Sequence, residues 1–283
     1  MSFTTLIRTA ELADEANNPS WVIVDCRFDL ANVDWGHREY LAGHIPRGVY
    51  AHLDADLSGA KTGTNGRHPL PDPDALRHTL SRFGIARETQ VVVYDEGSGM
   101  YAARLWWLLR WMGHDAVAVL DGGFAKWKAE DRPTTSGEEV NAAREFTGTP
   151  RADMIVDAAT VESLRTKPEW RLIDARAPER YRGEVEPIDR VGGHIPGAKN
   201  RFFKANLNEA GTFRSSDELR KQLSDVAGSV SPDHIVNSCG SGVTACHNVL
   251  ALEHAGMRGA KLYPGSWSEW SSDPSRPVGR GEE

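Results

Sequence analysis

"VVVYDEGSGMYAARLWWLL" (residues 91–109) and "HIVNSCGSGVTACHNVLAL" (234–252) share one pattern: an apolar run, a turn built on Gly-Ser-Gly, then a longer apolar-rich segment. A β-branched run bounded by glycine reads as a buried strand, and the longer segment after it as a helix. Three further pairs occur in the same order along the chain. They are "WVIVDCRFD" (21–29) with "WRLIDARAP" (170–178), "YLAGHIPRG" (40–48) with "RVGGHIPGA" (190–198), and "VLDGGFAKW" (119–127) with "LYPGSWSEW" (262–270). Matched segments in one order at nearly constant spacing indicate an internal duplication. The copies differ at one informative place: the first has Asp95 where the second has Cys239.

Within each copy, strand-like runs alternate with helical patterns such as "PDALRHTLSRFG" (73–84) and "SDELRKQLSDVAG" (216–228). This alternation predicts an α/β fold in two tandem domains, each a mostly parallel sheet flanked by helices. The expected boundaries are 1–134 for the first domain, 135–152 for a polar, Gly- and Pro-containing linker, and 153–283 for the second. The tryptophan-rich segment 101–113 reads as a core helix rather than a cofactor site.

The chain has 283 residues, of which 40% are hydrophobic and 26% charged, and its net charge is −7 with a pI near 5.8. An acidic balance of this kind argues against a nucleic-acid partner or a polybasic membrane contact. No basic, apolar leader opens the sequence and no apolar stretch is long enough for a membrane span, so a cytoplasmic location is expected. Cys26, Cys239 and Cys246 form neither a disulfide framework nor a CxxC pair. His37, His44 and His52 lack metal-ligand spacing, and neither a metal nor an organic cofactor is expected.

The loop Cys239-Gly240-Ser241-Gly242 joins a strand to a helix at the carboxyl end of a parallel sheet, where open α/β folds place their ligands. Its two glycines let backbone amides turn inward at the positive end of the helix, a setting that stabilises a thiolate. Cys239 is therefore the candidate nucleophile, set against the bland reading of a small buried hydrophobe. Cys246, inside the helix, and Cys26, at a strand end, read as packing residues.

"CGSGVTA" followed by "YPGSWSEW", the paired "GHIP" segments and the duplicated layout resemble the tandem-domain rhodanese superfamily, most closely its 3-mercaptopyruvate sulfurtransferases. The resemblance spans about residues 5 to 272. It implies a silent first domain and a catalytic second domain whose cysteine carries sulfur as a persulfide. It also implies a small-molecule sulfur donor and a thiol or thioredoxin-like acceptor. Thiosulfate sulfurtransferases of the family place Arg and Lys after the cysteine; Gly240 and Ser241 here match the mercaptopyruvate enzymes instead. Arg47 departs from the family's Gly in the first "HIPGA" motif.

By the same resemblance, Arg180 and Arg190 hold the substrate carboxylate, with Arg182 as the alternative to Arg190. Gly240, Gly242, Val243 and Thr244 line the substrate, and Asp54, His68 and Ser241 form a proton relay, the first two contributed by the first domain. Three other readings stand beside this one. A thiosulfate sulfurtransferase would share the persulfide mechanism, and a non-catalytic rhodanese-like binding module would need no thiol chemistry. A cysteine-loop phosphatase would need an Arg six positions after the cysteine, where this chain has Ala245.

Overall fold

The β-branched runs become strands, and nearly all are buried on both faces, as parallel sheets covered by helices require. The computed structural model describes residues 2–282. β1 (Leu6–Ile7), β2 (Trp21–Asp25), β3 (Gly48–Tyr50), β4 (Gln90–Tyr94) and β5 (Val117–Leu120) form a sheet in the order β1-β5-β4-β2-β3, every pair parallel. Helices α1 (Thr9–Glu15), α2 (Trp35–Ala42), α3 (Pro73–Arg82), α4 (Ala102–Trp111) and α5 (Gly123–Ala129) alternate with these strands. The tryptophan-rich segment is α4, a core helix buried at every position except Arg110. Each fully buried leucine along it contributes about 1.5–3 kcal/mol relative to exposure.

The second sheet runs β7-β6-β8-β9, again all parallel, from β6 (Arg171–Asp174), β7 (Ala198–Asn200), β8 (Ile235–Ser238) and β9 (Lys261–Leu262). Its helices are α6 (Ala158–Leu164), α7 (Pro178–Tyr181), α8 (Ser216–Ala227), α9 (Thr244–His254) and α10 (Ser266–Trp270). A counterpart of β1 survives as a single parallel bridge, Ile155 to Leu262. Two expected helices start on ordinary caps. The Asp72 carboxylate accepts from the Asp74 and Ala75 amides ahead of α3, and Ser215 forms a capping box with Glu218 ahead of α8.

The register supports the duplication residue by residue. Asp25 pairs with Tyr94 in the first sheet and Asp174 with Ser238 in the second, so Asp95 and Cys239 are each the first residue beyond equivalent strands. Each copy then closes on the same buried set. Arg27 donates to Asp25 at 2.6 Å and to the Gly43 carbonyl at 2.7 Å; Arg176 donates to Asp174 at 2.7 Å and to the Gly193 carbonyl at 2.7 Å. The "GHIP" histidines stack on tyrosines, His44 on Tyr40 and His194 on Tyr181, and each Nδ1 donates to that tyrosine's carbonyl at 2.8 Å. These histidines are structural. Arg47, at φ 65, holds the left-handed turn that Gly197 makes in the other copy, and its guanidinium donates to the Ala16 and Asn18 carbonyls.

Removing one member of these buried ion pairs leaves the other charged and desolvated, at a cost of about 3–5 kcal/mol. Asp25→Ala and Asp174→Ala are therefore expected to lower stability to a similar degree, read as a drop in the denaturant midpoint. An effect confined to Asp174→Ala would show that the shared geometry is not a shared support.

The compact units differ from the boundaries expected above. One comprises the chain up to Gly59, Pro71–Arg151 and Glu209–Phe213; the other comprises Ala60–Leu70, Ala152–Asn208 and the chain from Arg214 onward. The expected linker has almost no regular structure, yet it is hydrogen-bonded along the first unit. Thr135 bridges His44, the Gly137 amide donates to Leu41, that of Arg144 to Ser81 and that of Arg151 to Trp111. Residues 60–70, placed in the first domain by sequence order, pack within the second unit. Gly66, at φ 86, runs so close to the 265–268 turn that a Cβ there would lie 2.9 Å from the Gly265 carbonyl oxygen, and the Arg67 amide donates to Ser268 Oγ at 3.1 Å.

Candidate active site

β6 and β8 are neighbours in the sheet while β7 and β9 lie on their outer flanks, so the strand order reverses between them, and the carboxyl ends at such a point are where open α/β sheets place their ligands. Arg176 lies just beyond β6 and Cys239 just beyond β8. Cys239 is 2% exposed, and its Sγ accepts a hydrogen bond from the Gly242 amide at 3.1 Å, at the N-terminal end of α9. Its own amide donates to Ser266 Oγ at 3.0 Å, and its carbonyl accepts from Trp267.

Ser266 sits at φ 53, where the first copy has Gly123 at φ 58. A non-glycine residue in that region is strained. Here the strain delivers the hydroxyl that fixes the cysteine's backbone.

Ser241 is buried and shares a 2.7 Å hydrogen bond with His68 Nδ1, both within the second unit. Arg180 also reaches the loop. A Cβ on Gly240 would lie 3.7 and 3.8 Å from its two terminal nitrogens. Val243 caps α9 and Thr244 is its first residue. Asp54 belongs to the first unit, where its amide donates to His52 Nδ1 at 3.1 Å. Arg190 makes no ion pair or side-chain hydrogen bond among the described residues. Its alternative Arg182 faces Glu184 and Glu282 instead.

Sequence reasoning omits several groups of this site. Arg176 is buried over the Trp267 ring, with its charge held by Asp174 and Glu186. Burial opposes its charge, but Asp174, Glu186 and nearby Cys239 outweigh burial and raise its affinity for the proton. The Asp-x-Arg repeat, Asp25-Cys26-Arg27 and Asp174-Ala175-Arg176, is the signal that could have found it. Arg67, Glu186 and Asp189 carry no such signal. Burial pushes the Glu186 carboxyl up, yet hydrogen bonds from Arg180 and from the Asp189 and Ile188 amides leave it below its ordinary value. Burial holds Asp189 above the ordinary carboxylate value despite Arg67 and Arg180 nearby.

Among the described residues no cluster of His, Cys, Asp or Glu could hold a metal ion, and no helix is long and apolar enough to cross a membrane. A buried thiol on an amide, an adjacent hydroxyl–imidazole pair and guanidinium groups at the loop define a site for thiol-based transfer of a group from an anionic donor.

Rhodanese-like domains match residues 8–130 and 157–273. The chain belongs to the rhodanese-like family, as a tandem-domain sulfurtransferase. It is 46% identical to a probable 3-mercaptopyruvate sulfurtransferase of Pseudomonas aeruginosa over 284 residues, 100% of both chains. It is 40% identical to a putative thiosulfate sulfurtransferase of Mycobacterium tuberculosis, covering 98% of this chain and 97% of the relative. Among solved structures, 3-mercaptopyruvate sulfurtransferase from Leishmania major superposes with a TM-score of 0.82 at 32% identity, covering 95% of this chain and 74% of that one.

Proposed function

We propose that the sulfur donor is 3-mercaptopyruvate and that Cys239 carries its sulfur as a persulfide. The observation that carries this reading is the neutral loop itself, with Ser241 hydrogen-bonded to His68 at 2.7 Å two residues from the thiol. The Cys239 thiolate attacks the donor sulfur, and the carbon–sulfur bond breaks with its electron pair moving into the enolate of pyruvate. The Ser241–His68 pair returns a proton to that enolate, and Asp54 is the proposed third member of the relay. The Gly242 amide holds the anionic sulfur, while Gly240, Val243 and Thr244 line the donor. Arg180 holds its carboxylate; the same role for Arg190 rests on the family resemblance. A small thiol or a thioredoxin-like dithiol then takes the outer sulfur and releases the Cys239 thiolate. No disulfide joins Cys26, Cys239 and Cys246, which suits a reducing compartment, and the proposed location is cytoplasmic.

The relay separates the two donors. Thiosulfate leaves as sulfite and needs no carbon-bound proton, whereas the enolate does. Ser241→Ala and His68→Gln are expected to slow pyruvate release by about 100-fold and to change sulfite release from thiosulfate far less. Equal losses with both donors, or faster persulfide loading of the wild type from thiosulfate, would favour the thiosulfate reading, which the Mycobacterium tuberculosis relative's name also supports.

A further inference from the structure

The duplication places one crevice in each copy, beside the strand that follows the "GHIP" segment, and lines the two with different chemistry. Tyr50 pairs with Asp25 as Asn200 pairs with Asp174, so Tyr50 answers Asn200 and Val49 answers Lys199. The covering segments correspond as well: the Gly137 amide donates to the Leu41 carbonyl, and the Gly281 amide to the Arg182 carbonyl. In the second copy the crevice holds Arg171, Arg182 and Lys199 beside Asp225 and Glu282, and Glu282 lies 3.7 Å from Arg182. In the first it is a cavity of about 340 Å³, the size of a small-molecule site, walled by aromatic rings and acidic residues that all belong to the first unit.

Tyr50 shows that these rings are an addition to the fold. Its hydroxyl donates to the Arg27 carbonyl at 3.0 Å, and Asn200 Nδ2 makes the same bond to the Arg176 carbonyl at 2.9 Å. Asparagine thus suffices for the fold, and tyrosine adds a half-buried ring to the cavity wall. That ring lies 5.1 Å from the His37 ring and 5.4 Å from the Tyr40 ring. Asp56 is spent on Arg82, whose guanidinium lies 5.3 Å over the Phe83 ring. Asp34, Glu138 and Glu139 also line the cavity, and their carboxylates meet no cation among the described residues. The Glu139 amide donates to the Tyr40 hydroxyl at 2.9 Å, which holds the acidic segment against the rings.

We propose that this cavity binds a small organic cation, an alkylammonium or guanidinium group seated on the Tyr50 and His37 rings with its charge met by Asp34, Glu138 and Glu139. Ring faces attract a cation within about 6 Å, and more strongly where water is excluded. Arg82 over Phe83, paired with Asp56, is the same arrangement made by the chain's own guanidinium at one side of the cavity. Uncompensated carboxylates repel an anionic occupant, so the cavity is no second site for an anionic sulfur donor. The second copy carries the cysteine, and the first carries a ligand site of opposite charge preference.

The test titrates the full chain with choline, methylguanidinium and 3,3-dimethyl-1-butanol, the neutral isostere of choline, by isothermal calorimetry at low ionic strength. One equivalent of cation is expected to bind, with the alcohol at least about 10-fold weaker than choline. The tighter of the two cations identifies the head group. Tyr50→Asn installs the second copy's residue and its carbonyl bond, so it should lower the thermal midpoint little and weaken cation binding about 5- to 30-fold. The double substitution Glu138→Gln with Glu139→Gln, at exposed and half-buried positions, should weaken binding similarly and flatten its dependence on salt, and it decides the matter should Tyr50→Asn fail to fold. A chain that binds neither cation, or binds the alcohol as tightly as choline, overturns the proposal. Cation binding that both variants leave unchanged overturns it too, because the cation then sits elsewhere.

Discussion

Cys239→Ser protein incubated with 3-mercaptopyruvate and no acceptor is expected to gain no mass, whereas wild type gains that of one sulfur atom. Turnover should fall by at least about 1,000-fold, because the loop and the bound donor remain while the covalent route is gone. Folding should survive, since serine has nearly the shape of cysteine and can accept the Gly242 amide that Sγ now accepts at 3.1 Å. The first unit supplies an internal comparison. There the equivalent Asp95 fills its own loop: one carboxylate oxygen accepts from the Gly97 and Gly99 amides at 3.0 and 2.9 Å, the other from Tyr101 at 2.9 Å. Both loops thus turn backbone N–H groups onto the side chain that follows the strand, but in the first that side chain is a tethered carboxyl group with no sulfur chemistry. The mass of intact Cys239→Ser after incubation decides the matter; a sulfur adduct on that variant would move the nucleophile elsewhere.

The duplication makes much of the fold legible in advance, because every strand–loop–helix step is written twice and each copy checks the other. The same redundancy sorts the site. Features present in both copies, such as the Asp–Arg pairs and the histidine–tyrosine stacks, support the fold, and the proposed chemistry draws on those confined to the second copy. Cys239, Gly240 and Ser241 are legible since strand, turn and helix onset are local. His68 and Arg67 are not legible by such rules: 173 positions separate His68 from Ser241, and only packing of the 60–70 segment in the second unit unites them. Arg190 is a candidate through its place in the family pattern alone, and the same loop presents Asp189 and Glu186 to the Arg67 and Arg180 guanidinium groups.

Gly242→Ala is expected to lose both activity and stability, and Gly240→Ala activity alone. Gly242 lies at φ 76, and a Cβ there would sit 2.3 Å from the Pro264 carbonyl oxygen, a backbone atom that cannot turn aside. The left-handed conformation alone costs a non-glycine residue about 1–3 kcal/mol, and relief of the overlap must displace the amide that holds Sγ. We expect a clear drop in thermal midpoint and at least a 100-fold loss of pyruvate release, since that amide acts on the charged sulfur. At Gly240 the φ is ordinary, and the nearest obstacle is the mobile end of Arg67 at 2.8 Å. The guanidinium can swing away, so the thermal midpoint should hold while donor KM rises and kcat changes little. Thermal midpoints and steady-state constants for the two variants check the pair. Equal destabilisation by both would mean that the loop is held by close packing throughout, and that no separate contact at Gly242 positions the sulfur.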